Sequence, residues 1–195
     1  MAALRSICVY CGAAVGKDRR YRALAQRLGT ILAERGLTLV FGGGKVGLMG
    51  ALADAALEAG GRVIGVIPTR LRTVELAHQG CTELVVVESM HARKERMYAL
   101  ADAFVALPGG IGTLEETIEM ITWRQLGFHD KPIAVVNDGG YWEPLRALFA
   151  ATVAAGFAHD EIDRLVTFVD SAEAAVTALE SSPEPQRRGA PTGVL

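Results

Sequence analysis

The sequence predicts an α/β protein, a Rossmann-like three-layer sandwich on a parallel sheet of about seven strands. Three observations predict it. Short β-branched runs alternate with longer stretches rich in Ala, Leu, Glu and Arg, whose apolar positions recur at three and four. Several of the short runs are apolar throughout, as expected of strands covered on both faces. Glycine-rich turns also join some of these runs to the helical stretches that follow. Repeated βα units in one chain imply parallel strands joined by right-handed crossovers.

The strand candidates are residues 6–10, 37–41, 62–67, 84–87, 104–107, 133–136 and 166–169. Helix candidates at 21–35, 47–59, 90–101, 114–126, 142–154 and 172–179 fall between and after them. The first run, Ser-Ile-Cys-Val-Tyr, is stopped by Gly12, and the second is stopped by the glycines that begin at Gly42. Pro68 follows the third run and Pro108 the fifth. Ser89 is a suitable N-cap for the helix that begins at Met90. Residues 1–181 read as a single Rossmann-like domain without repeat or linker. Residues 182–195 are rich in proline, hold two arginines and few large apolar groups, and read as a disordered tail.

A length of 195 residues allows a substantial core without disulfides or metals. The net charge of −2 gives no general reason to expect nucleic acid or an anionic membrane as partner. Any anion site must therefore be built locally. The cysteines Cys8, Cys11 and Cys81 are odd in number, and residues 1–10 are too short an apolar run for a secretory or membrane segment. Both points fit a cytoplasmic protein. Cys8 and Cys11 have CxxC spacing, but no second pair accompanies them, and Cys8 reads as part of a buried strand.

Two glycine turns carry the chemistry. Gly42, Gly44 and Gly47 match GxGxxG between a strand and a helix, where a side chain would keep a ligand off the backbone. No acidic residue after the next strand, at Val66-Ile67-Pro68-Thr69-Arg70, is placed to hold a dinucleotide ribose. The second turn is Pro108-Gly109-Gly110-Ile111-Gly112-Thr113-Leu114-Glu115-Glu116. Its amides at a helix N-terminus suit a phosphate, Thr113 adds a hydroxyl, and Glu115 and Glu116 are expected in the first helical turn. Arg93 and Lys94 fall early in another helix, where the dipole disfavours cations, and a local rule broken at a strand's C-terminal end marks a candidate site. Arg93 and Glu116 are expected at a solvent-facing sheet edge. Pairing with Glu95 or nearby acids is the plainer account of the two cations. His91 reads as a base or as a solvated histidine, and Glu75 and His78 could share a helix face. No metal-ligand spacing is evident.

These residues resemble the LOG ("lonely guy") family. Pro108 to Glu116 fits its PGGxGTxxE motif, and Met90-His91-Ala92-Arg93-Lys94 fits MHxRK. Gly42 to Gly50 looks like GGGxxGLMG, and Thr122 to Pro132 resembles TWxQLGxHxKP. The likeness runs from about Ile7 to Val169. It implies a cytokinin riboside 5′-monophosphate phosphoribohydrolase, which releases an adenine-type base and ribose 5-phosphate. It also implies Arg93 and Glu116 as the catalytic pair. Nucleotide-binding positions would be Glu75, Met90, Lys94, Gly42, Gly43, Gly44, Gly109, Gly110, Ile111, Gly112 and Thr113. No cofactor or metal is expected. The partners implied are a purine nucleoside 5′-monophosphate and a second copy of the chain, with no nucleic acid or membrane. The apolar stretch 118–128, with Met120, Ile121, Trp123, Leu126 and Phe128, supports a homodimer. One departure stands at Cys11-Gly12-Ala13-Ala14, where the family carries Gly-Ser-Ser and two more hydroxyl donors. The alternative is a non-catalytic purine-nucleotide-binding or sensing module, which would need neither Arg93 nor Glu116. A pyridoxal phosphate decarboxylase, an older label for the family, would need a Schiff-base lysine.

Overall fold

The computed structural model describes residues 4–72, 76–158 and 162–182. Among these, the strands are β1 (Ser6–Tyr10), β2 (Thr38–Phe41), β3 (Val63–Pro68), β4 (Glu83–Val87), β5 (Ala103–Ala106), β6 (Ile133–Val136) and β7 (Thr167–Val169). They form one parallel sheet in the order β4-β3-β2-β1-β5-β6-β7. The helices are α1 (Arg19–Glu34), α2 (Gly47–Glu58), α3 (Met90–Leu100), α4 (Ile111–Gln125), α5 (Glu143–Ala154), the short α6 (Ile162–Leu165) and α7 (Ala172–Glu180). The expected α/β sandwich is therefore present, with every expected strand and helix in place to within a few residues.

The two faces of the sheet bury separate clusters. Ile7, Val9, Leu39 and Phe41 pack against α1, α2 and α7. Cys8, Tyr10, Val40 and Phe104 pack under α3, α4, α5 and α6. The alternation along β1 follows from the two-residue period of a strand, and the full burial of Ile7 to Tyr10 follows from its central position. Cys8 and Cys11 fall in opposite clusters, and burial pushes both thiols well above their usual range. The CxxC spacing thus forms neither a disulfide nor a ligand pair. No described helix is long and apolar enough to cross a membrane.

Helix α3 is the long return of the chain. It leaves the edge strand β4 and delivers β5 to the far side of β1, so it crosses beneath β3, β2 and β1. Its start is capped as expected, the Ser89 side chain accepting from the Ala92 amide at 3.1 Å.

Two expectations need correction. Helix α4 starts at Ile111, three residues early, because extended Gly110 serves as N-cap and its carbonyl accepts from Leu114 N at 3.0 Å. Glu115 and Glu116 therefore sit in the second turn, where the dipole no longer accounts for them. His78 shares no helix face. Leu76 turns the chain with φ of +48°, and Ala77 and His78 then run along the first glycine turn, with an Ala77–Gly44 bridge and His78 N donating to Gly43 O at 2.8 Å. Glu75 and the tail from 183 onward lie outside the described residues, whereas Ser182 still bonds Ala178 O at 2.9 Å on the end of α7. The 3₁₀ turns Thr69–Leu71 and Asp138–Gly140, and α6, are too short to show a period in sequence.

Candidate active site

Strand β1 lies between β2 and β5, and the chain leaves it in both directions. This is the switch point at which open parallel sheets bind ligands, beyond their C-terminal strand ends. There the exits of β1 and β5 run side by side, with Leu107 N donating to Tyr10 O at 2.9 Å and Gly12 N to Pro108 O at 3.1 Å. Gly109 must be glycine, since a Cβ would stand 2.1 Å from Thr113 Oγ1. Its carbonyl accepts from Tyr141 Oη at 2.6 Å.

The next residue opens α4 without a side-chain cap, because Gly110 has no side chain. Asp18, Ser89 and Ser171 supply such a cap to α1, α3 and α7. The first amides of α4 thus have no side-chain cap, as an anion site requires. Ile111 is 82% exposed and Gly110 and Gly112 are open. Thr113, by contrast, is buried beneath Gly109, and its carbonyl accepts from Thr117 Oγ1. It locks the turn from below.

The first glycine turn is built differently from a dinucleotide cradle. The N-terminus of α2 is occupied by the β1 exit: Leu48 N donates to Gly12 O at 2.9 Å, and a Cβ on Gly47 would lie 2.2 Å from the Ala13 carbonyl carbon. Gly12 thus bonds both neighbouring turns through its backbone, while Ala13 and Ala14 are exposed. Gly43 and Gly44 are buried against β3 and residues 76–78. Gly42 makes room for Arg93, because a Cβ there would meet Arg93 Nη2 at 2.1 Å.

Arg93 departs from the expected exposed edge. It is 5% exposed, because α3 passes under β2 and β3 and carries its guanidinium to their ends. Nη2 donates to Gly42 O at 2.7 Å and Nε to Val66 O at 3.2 Å, and the sulfur of half-exposed Met90 stands 3.9 Å from Nη1. Glu116 approaches from α4. After burial, its charge is among the causes that hold the Cys8, Tyr10 and Cys11 protons on, while Arg93 acts on Cys8 in the opposite sense. Arg93 thus reaches the end of β2 through Gly42 O, while α4, which carries Glu116, packs on the neighbouring β1.

Lys94 turns to the neighbouring helix, with Nζ bonded to Glu115 at 2.5 Å and Glu119 at 2.9 Å. Partial burial opposes its charge, but the bonds to these two acids outweigh it and raise the pKa. A Schiff-base lysine needs the reverse. Its partners lie on α4, rather than at Glu95. His91 is exposed. His78 is buried behind β2, bonded to Asp54 at 2.8 Å and edge-on to Phe41. Among the described residues, no group of three or more His, Cys, Asp or Glu could hold a metal. Tyr141 was not legible as part of the site. Its partner Gly109 is 32 residues away, and no local pattern marks the contact.

The family model described as "Possible lysine decarboxylase" matches residues 49–179. A cytokinin riboside 5′-monophosphate phosphoribohydrolase of Rhodococcoides fascians is 45% identical over 91% of this chain and 90% of its own. A relative with the same activity name from Oryza sativa is 44% identical over 90% of this chain and 73% of its own, and one from Arabidopsis thaliana is 43% identical over 90% and 83%. The chain belongs to the LOG family. Solved structures share the fold of this LOG-family chain at lower identity. A molybdenum cofactor carrier protein of Chlamydomonas reinhardtii is 22% identical with a TM-score of 0.69, over 91% of this chain and 96% of that one. The molybdenum cofactor binding protein of Rippkaea orientalis is 21% identical, also at 0.69, over 93% and 98%.

Proposed function

We propose that this LOG-family chain hydrolyses the N-glycosidic bond of an adenosine 5′-monophosphate, N6-substituted or plain, releasing the free base and ribose 5-phosphate. The observation that carries the reading is the buried Arg93 guanidinium at the end of β2 beside the uncapped start of α4, the helix that carries Glu116 and packs on β1. The 5′-phosphate takes the amides at Gly110 to Thr113, with Gly109 shaping the turn. Glu116 lies five residues beyond Ile111, about 8 Å along the helix. That is of the order of the reach from a 5′-phosphate to the anomeric carbon. As the C1′–N9 bond breaks, positive charge grows on the ribose, and Glu116 stabilises it and orients the attacking water. The water hydroxyl joins C1′ and its remaining proton leaves with the base. Arg93 turns its guanidinium charge toward the electrons passing to the base. The activity name shared by the relatives supports an N6-substituted substrate, and so do the apolar Met90 and Ile111 exposed at the starts of α3 and α4.

The same reading makes the active form a cytoplasmic homodimer. Met120 and Ile121 belong to the chain's own core, but Leu126 is 57% and Phe128 70% exposed. Phe128 and Trp123 line a groove of about 470 Å³ between α3 and α4, with Tyr98, Lys94 and Glu119. A second copy would cover this apolar face. The free cysteines suit a reducing compartment, and fractionation that finds the chain elsewhere would refute the location. The catalytic reading is tested by comparing AMP with adenosine. A phosphate site predicts kcat/KM higher for AMP by about a hundredfold or more, the scale of a charge-assisted phosphate contact set. Comparable values would remove the phosphate from the account. Recovery of both compounds intact would leave a binding module.

A further inference from the structure

We propose that Tyr141 is a positioning residue for the phosphate-binding end of α4, an inference that rests on the reading of that helix end as a phosphate site. Its hydroxyl donates to Gly109 O at 2.6 Å. In a trans peptide the carbonyl and the following N–H point in opposite directions, so holding the Gly109 oxygen fixes the direction of the Gly110 amide. That amide belongs to the N-cap of α4 and is one of the donors offered to the phosphate. A Gly-Gly pair has little stiffness of its own, and a turn that must be ordered on binding loses affinity. Tyr141 supplies the order in advance.

The hydroxyl is itself held in place. The ring of Tyr141 stands edge-on to Tyr21 at 5.5 Å and to Trp142 at 5.0 Å. The turn that carries it is tied by Asn137, which donates from its backbone to Val169 O at 2.7 Å and accepts at Oδ1 from Trp142 N at 2.7 Å. Gly139 and Gly140, with φ of +59° and +79°, let the chain double back there from β6 toward the β5 exit. The β6–α5 connection thus reaches across to the switch point and braces a turn it does not belong to. Tyr141 acts through Gly109 and needs no contact with the substrate.

Tyr141→Phe in the full chain keeps the ring packing and removes the hydrogen bond. One such bond corresponds to about tenfold in affinity. The Kd of ribose 5-phosphate by calorimetry and the KM of AMP should each rise by about that factor, while kcat and the Kd of adenosine stay within about twofold. The melting curve, measured alongside, should show a cooperative fold. Equal weakening of ribose 5-phosphate and adenosine would mean general damage to the site and would overturn the proposal, as would an unchanged Kd for ribose 5-phosphate. If the unmodified chain binds ribose 5-phosphate but leaves AMP intact, the hydrolase reading fails, and the Kd shift still decides the role of Tyr141. If the unmodified chain does not bind ribose 5-phosphate, the positioning role fails as well.

Discussion

Arg93 carries a permanent charge at a place 5% open to solvent, and it does so because two backbone carbonyls, of Gly42 and Val66, accept from it. Cutting it to alanine removes a charge from the site and leaves both carbonyls without this donor. The cost is about 2–4 kcal/mol. For a chain of this length that lowers Tm by roughly 5–12 °C. Arg93→Ala should therefore lose both stability and turnover, the latter by at least about a hundredfold, when measured below its own melting range. Arg93→Lys should recover part of the stability only, since an ammonium has no fork to span both carbonyls. An Arg93→Ala protein that melts and turns over like the unmodified chain would refute this. Glu115 and Glu116 make the complementary test. Glu115 is half exposed and shares Lys94 with Glu119, so Glu115→Gln removes a surface pair of at most about 1 kcal/mol and leaves activity near normal. Glu116→Gln should lower kcat by about a hundredfold or more while nucleotide Kd holds or tightens, because one repulsion of the phosphate is gone. The reverse pattern would assign the wrong carboxylate. Both residues stood out in sequence through their motifs. The burial of Arg93 did not, because it depends on where α3 crosses the sheet, and periodicity says nothing of that.

At the scale of elements, His129 ties the loop after α4 back to the carbonyl of Met120 within that helix. Nε2 lies 3.0 Å from Met120 O, and Nδ1 accepts from the Lys131 amide at 3.1 Å. Only the neutral tautomer with the proton on Nε2 fits both, since a protonated Nδ1 would face another donor. Burial is the main cause that lowers its pKa from 6.5 to about 4, and nearby Lys131 and Arg124 add to the effect. Between those values the unfolded chain binds a proton that the native chain does not. Stability is thus full above about pH 6.5 and falls as pH drops toward about 4, by up to about 3 kcal/mol. Melting curves at pH 7 and pH 5 should separate more for the unmodified chain than for His129→Gln, which has no such proton to bind. Parallel shifts would refute the linkage. Elements with a sustained period were legible, as α1, α2 and the continuous apolar strands show. The start of α4 was not, because Ile-Gly-Thr is a weak helix former and the helical state is imposed by Gly110 and the buried Thr113. The pairing of residues 76–78 with the first glycine turn is illegible for the same kind of reason, since its bonds go to Gly43, Gly44 and Lys45, far away in sequence.

The whole molecule brings the two glycine turns together by strand order. β2 and β5 flank β1, so the second and the fifth strand end beside the first, and α3 and α4 deliver Arg93 and Glu116 to the same face. Sequence predicted a parallel sheet, but the order of its strands rests on contacts far apart in the chain. The exposed Leu126 and Phe128 belong to this scale too. Light scattering at micromolar concentration should give a dimer, and Leu126→Asp with Phe128→Asp should give a monomer, because charge placed in an apolar interface lacks a partner. A monomeric unmodified chain would end that expectation. Which bond of the nucleotide breaks is read from a product balance. N6-isopentenyl-AMP is incubated with the full chain, and every species is separated and quantified. Cleavage at C1′–N9 gives free N6-isopentenyladenine and ribose 5-phosphate in equimolar amounts, with no inorganic phosphate. Release of phosphate with the nucleoside, or recovery of the nucleotide intact, would contradict it.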